Sequence, residues 1–143
     1  MMKKIFDEEC IFCKLANGKI PTNSIYEDED FKVVMDLSPA SKGHCIILPK
    51  THAKNLLELP EEYCEKILLV AKKCCKVLME VLHCDGINVL QNNGEAAGQT
   101  VFHLHIHLIP RYEGDNVRIK WAEHSEEFDI EALAVEIRKG FEV

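Results

Sequence analysis

Gln99-Thr100-Val101-Phe102-His103-Leu104-His105-Ile106-His107-Leu108-Ile109-Pro110 is the stretch whose reading decides the fold. Residues two apart on a strand share a face, so His103, His105 and His107 stand together while Leu104, Ile106 and Leu108 point the other way. A solvated face needs no histidines in register, and a packed core accepts imidazoles only when each nitrogen finds a partner. The pattern therefore points to a metal site, a phosphate site or a catalytic site built on a strand. Gly98, Gln99 and Thr100 bring a flexible glycine, an amide and a hydroxyl to the start of the stretch, and such groups suit phosphate oxygens.

Working outward, Gly86-Ile87-Asn88-Val89-Leu90-Gln91-Asn92 reads as another strand, joined to the histidine strand by a polar loop bounded by Gly94 and Gly98. The two are expected to pair as a hairpin that holds the loop beside the histidines. Upstream, from 60 to about 83, Cys64, Ile67, Leu68, Ala71, Cys75, Leu78 and Leu82 recur at three- and four-residue steps, the period of a long amphipathic helix. Its glutamates lie early and its lysines later, as the helix dipole favours. Earlier still, 24–27, 31–36 and 44–49 read as three strands of a meander; the apolar run of the third predicts cover on both faces. A short helix follows Cys13 and ends at Gly18, and a last helix is expected from about 129 to 141. These elements predict an α+β fold, with a mainly antiparallel sheet, one long amphipathic helix and short terminal helices. A chain of 143 residues without repeats or low-complexity tracts reads as one domain over 1–143, with a variable tail from about 112.

The formal charge of −7 argues against extended nucleic-acid or anionic-membrane partners, which require a basic surface. A small anion is still compatible, held by histidines and backbone amides. No apolar run reaches the roughly 18 residues of a membrane span, and the first residues turn acidic before any signal core, so a cytoplasmic location is expected. Seven cysteines, an odd number without a secretion signal, do not form a disulfide framework. Cys10 and Cys13 form a Cys-x-x-Cys pair: half a tetrahedral zinc site, a redox dithiol, or two packed cysteines.

His103-Leu104-His105-Ile106-His107-Leu108-Ile109 resembles the His-φ-His-φ-His-φ-φ signature of the histidine triad (HIT) superfamily. With Gly-Gln-Thr before it and Pro49-Lys50-Thr51-His52 upstream, the resemblance is to the small nucleotide-binding branch and covers nearly the whole chain except the tail. It implies a homodimer whose sheets run together across the interface. It also implies a hydrolase, a nucleotide phosphoramidase or dinucleoside polyphosphate hydrolase, acting at the α-phosphate of a purine nucleotide or nucleotide conjugate. His105 is the implied nucleophile, forming a nucleotidyl-histidine that water hydrolyses, with His107 and His44 supporting it. Phe12, Leu15, Val34 and Leu37 are the implied base slot and Asp36 the acceptor for ribose hydroxyls; Asn92, Gly98, Gln99 and Thr100 are the implied phosphate side. The same resemblance implies a closed structural zinc on Cys10, Cys13, His52 and His103, and no organic cofactor. The uridylyl-transferring branch is disfavoured because it replaces the last triad histidine, which is His107 here. The rival reading is a nucleotide-binding regulatory module in which hydrolysis is incidental.

Overall fold

A computed structural model describes residues 3–141. Five strands, β1 (Ser24–Glu27), β2 (Phe31–Met35), β3 (Cys45–Pro49), β4 (Gly86–Gln91) and β5 (Ile106–Arg111), form one antiparallel sheet in the order β1-β2-β3-β5-β4. Three helices accompany it: α1 (Ile11–Ala16), α2 (Glu61–Leu82) and α3 (Ile130–Lys139). The fold is α+β, as the periodicities predict. The meander is present, and β4 pairs with β5 from Gly86↔Arg111 to Gln91↔Ile106.

Every residue of β3 is buried, and the two faces of the sheet explain why. On one face Cys45 and Ile47 join Val33, Leu104, Ile106 and Leu108 beneath the apolar stripe of α2, whose Ile67, Val70, Ala71, Cys74 and Leu78 are all buried. On the other, Ile46 and Leu48 pack with Val34 and Ala16 under α1, against Phe12 and Leu15. The α2 face is the main core. The α1 face carries the histidines.

Boundaries differ from the sequence expectation in several places: the first helix spans Ile11–Ala16 and so contains Cys13 instead of following it. The third strand begins at Cys45, leaving His44 in the turn before it. More consequentially, β5 begins only at Ile106, so His103 and His105 precede the strand and His107 alone lies in it. The side-chain alternation survives, with Leu104, Ile106 and Leu108 in the core. The ladder does not: the Leu104 amide donates to the carbonyl of Ala53, because β3 ends at Pro49 and its last rung with β5 is Ile47↔Ile106.

α1 starts at Cys10, whose sulfur accepts the amide of Cys13 at 3.1 Å and so caps the helix. α2 ends at His83, a non-glycine residue held at φ 52°. Among the described residues no helix is long and apolar enough to cross a membrane.

Candidate active site and metal centre

Cys10 and Cys13 at the start of α1, His52 just after β3 and His103 just before β5 meet in one cluster, their ligand atoms all within 4.8 Å of one another. His103 Nδ1 lies 3.4 Å from both sulfurs, and His52 Nδ1 lies 3.4 Å from Cys13 Sγ. Zinc–sulfur bonds of about 2.3 Å and zinc–nitrogen bonds of about 2.0–2.1 Å give tetrahedron edges of roughly 3.3–3.8 Å, so these separations fit one ion. The outer nitrogens agree. His103 Nε2 donates to the Pro49 carbonyl at 3.0 Å, leaving its Nδ1 unprotonated toward the sulfurs, and the Asp7 carboxylate lies 3.9 Å from His52 Nε2. Burial pushes the Cys13 thiol up to about 12, so a thiolate there needs a cation beside it.

The backbone that places His103 in this cluster also orients His105. The His103 carbonyl accepts from His105 Nδ1 at 2.8 Å, which fixes the proton on Nδ1 and leaves Nε2 with its lone pair. Burial lowers the pKa of His105, against a smaller raising by that carbonyl bond, so the ring stays neutral. The edge of Phe12 packs on it, with ring centroids 4.9 Å apart.

A second relay runs beside it. The Ala40 amide donates to His44 Nδ1 at 2.9 Å, so neutral His44 carries its proton on Nε2, which lies 2.9 Å from His107 Nδ1. His107 must then accept at Nδ1 and carry its own proton on Nε2. Burial, with His105 and His44 adding to it, brings His107 down to about 4. The Asp36 carboxylate lies 3.4 Å from His44 Nε2 and 3.9 Å from His107 Nδ1, while its other oxygen accepts the Ser38 amide. Asp36, His44 and His107 thus approach metal-ligand spacing, but His44 Nε2 keeps its proton as long as Ala40 occupies Nδ1, and a protonated nitrogen cannot ligate.

A groove of about 460 Å³ is lined by Phe12, Leu15, Val34, Asp36, Leu37 and Ile46, among others, and reaches the histidines through Phe12, which packs on His105, and Asp36, which faces His44. All five residues expected around a nucleoside therefore share one cavity. Val34 is also core, at 2 % exposure, whereas Leu37 is 87 % exposed and has no core role.

The residues expected on the phosphate side separate. Gln99 is buried, and its amide is spent on the backbone: Nε2 donates to the carbonyls of Lys54 and Val101, and Oε1 accepts the Gly94 amide. Its geometry is that of a loop anchor. Thr100 lines a different hollow, of about 590 Å³, together with Cys10, His52 and Lys54. Gly98 sits at φ +98°, and a Cβ there would lie 3.6 Å from the Asn92 side-chain nitrogen, so the loop brings 92 and 98 together. Sequence reading missed Ala40 and Pro49, the groups that set the orientation of His44 and His103. Both act through the backbone, which leaves no mark on residue type.

A family model described as HIT domain matches residues 17–114. The chain is 38% identical over 125 residues to adenosine 5'-monophosphoramidase HNT1 of Candida albicans, covering 84% of this chain and 82% of that protein. A crystal structure from Streptococcus mutans UA159 superposes with a TM-score of 0.90 at 39% identity, covering 95% of this chain and 87% of the other. A zinc-bound histidine triad family protein from Mycobacterium smegmatis superposes with a TM-score of 0.73 at 35% identity, covering 92% and 97%.

Proposed function

This chain belongs to the HIT family, and from that membership we propose that it is a nucleotide hydrolase of the phosphoramidase type. Its substrate is a purine nucleotide carrying an amine or phosphate on the α-phosphorus. One observation carries the reading: His105 is locked with its proton on Nδ1 against the His103 carbonyl, so a neutral ring keeps its lone pair on Nε2, and Phe12 of the groove wall packs on that ring. In the first step Nε2 bonds to the α-phosphorus and the bond to the leaving group breaks. In the second, water attacks the phosphorus, the P–Nε2 bond breaks and His105 returns neutral. The leaving nitrogen takes up one proton from solvent in the first step and the attacking water returns one in the second, so protons balance over the cycle. His107, held at Nδ1 by His44, is suited to donate a hydrogen bond from Nε2 to the leaving group. Asp36 and the apolar groove suit the nucleoside. The relative from Candida albicans, named for phosphoramidase activity, supports the same assignment.

The Cys10–Cys13–His52–His103 centre suits a structural zinc, closed to substrate because all four positions are protein ligands. It would tie α1, and with it Phe12, to the segment that carries His105; the zinc-bound relative supports this. We further propose a homodimer formed across β4, which is an edge strand with Val89 exposed, and a cytoplasmic location, where the seven thiols stay reduced. The first test is turnover of adenosine phosphoramidate by the purified protein and by His105→Ala, with zinc content measured on both. Turnover lost in the variant with about one zinc per chain kept in each supports the reading. A folded wild type that binds the nucleotide without turnover overturns it in favour of a binding module.

A further inference from the structure

Asp36 stands where two parts of the site meet. It lines the groove suited to the nucleoside, and it also faces the His44–His107 pair. Its two oxygens are used differently. Oδ1 accepts the Ser38 amide at 2.8 Å and is fixed by the chain. Oδ2 lies 3.4 Å from His44 Nε2 and 3.9 Å from His107 Nδ1, and among the described residues no backbone amide donates to it.

The proton on His44 Nε2 therefore faces two acceptors. His107 Nδ1 is the nearer, at 2.9 Å, but it is neutral, whereas the carboxylate at 3.4 Å is charged. Hydrogen bonds to an ionised acceptor are roughly twice as strong as neutral ones, and His44 is almost wholly buried, where charge is poorly screened. The carboxylate thus offsets its greater distance and draws the proton from His107. It also favours the wrong tautomer of His107, because a proton on Nδ1 of that ring would point at Oδ2 and leave no donor at Nε2. A bound ribose reverses both effects. Its vicinal hydroxyls are donors, Oδ2 is the oxygen the chain leaves open to them, and their hydrogen bonds disperse its charge. His107 Nδ1 is then the better acceptor for His44, and His107 must carry its proton on Nε2.

We propose that Asp36 is a positioning residue as well as the ribose acceptor: hydroxyls bound at Oδ2 commit the His44 proton to His107 Nδ1 and so set His107 to donate from Nε2. This role rests on the reaction proposed above and adds that the sugar is felt in turnover as well as in binding. The test compares adenosine phosphoramidate with its dideoxy analogue, which lacks both ribose hydroxyls, in the zinc-loaded wild type and in Asp36→Asn, which keeps the size of the side chain without its charge. In the wild type the dideoxy substrate should lower kcat about tenfold, the scale of one hydrogen bond to a charged group, besides raising KM. In Asp36→Asn the two substrates should share one kcat. Long-range ¹H–¹⁵N spectra of histidine-labelled protein, saturated with adenosine or with dideoxyadenosine, read the tautomer of His107 without turnover. Adenosine should give the Nε2–H form alone and dideoxyadenosine a mixture. One kcat for both substrates in the wild type, a kcat difference that persists in Asp36→Asn, or one His107 tautomer with both nucleosides overturns the inference. Failure to turn over either phosphoramidate strikes the proposed reaction instead, and the spectra then decide the role of Asp36 alone.

Discussion

Replacing Gln99 by alanine should unfold the protein more easily, and the size of the effect follows from three hydrogen bonds. Gln99 is 2 % exposed, and its amide joins Gly94, Lys54 and Val101. Each such bond contributes about 1 kcal/mol net, so losing all three costs about 3 kcal/mol. For a urea m-value of about 2 kcal/mol/M this moves the midpoint down by about 1.5 M. The transition should be followed by far-UV circular dichroism, because Trp121 is 82 % exposed in the tail and reports little of the core. Activity should fall as well, since the loop anchored by Gln99 leads directly into His103 and His105. An unchanged midpoint together with a weakened affinity for nucleotide would refute the reasoning and return the amide to the phosphate.

His107 is held near 4 from an ordinary 6.5 by burial, with His105 and His44 lowering it further and Asp36 opposing. The unfolded chain therefore takes the proton first as pH falls, and stability is lost from 6.5 down to about 4, by about 3 kcal/mol for this group; urea titrations across that range should show the slope, and His107→Asn should flatten it. Cys13→Ser should lower zinc from about one per chain to less than a tenth and reduce the melting temperature, with a chelator doing the same to the wild type and nothing further to the variant. Gly43 sits at φ +92°, where a Cβ would overlap Leu82 Cδ1 and press on Pro110, so Gly43→Ala should cost about 2 kcal/mol by denaturant titration.

Side-chain periodicity carried most of the fold. The run of β3 announced burial on both faces, and the stripe of α2 announced the face it covers, because apolar burial is written directly in residue type. The alternation of His103, His105 and His107 gave the shared face of the imidazoles, yet it overstated the strand. Whether an extended segment joins a ladder depends on which backbone lies beside it, and Leu104 meets the carbonyl of Ala53 instead of a strand. Gln99 shows a related limit: an amide tells that donors exist, not that they bond the carbonyls of Lys54 and Val101. The metal cluster was legible only by joining the local Cys10–Cys13 pair to histidines 39 and 90 residues from Cys13, a link that spacing alone does not make and family resemblance does. The ring orientations depend on Pro49, Ala40 and the His103 carbonyl, all backbone groups.

The central claim is that His105 Nε2 bonds to phosphorus. Quenching the enzyme in alkaline denaturant during turnover of an adenosine phosphoramidate, followed by peptide mass spectrometry, tests it directly. The account predicts one adenylyl group on the peptide bearing His105 in the wild type, and neither adduct nor turnover in His105→Ala. Turnover at an undiminished rate in His105→Ala would contradict it.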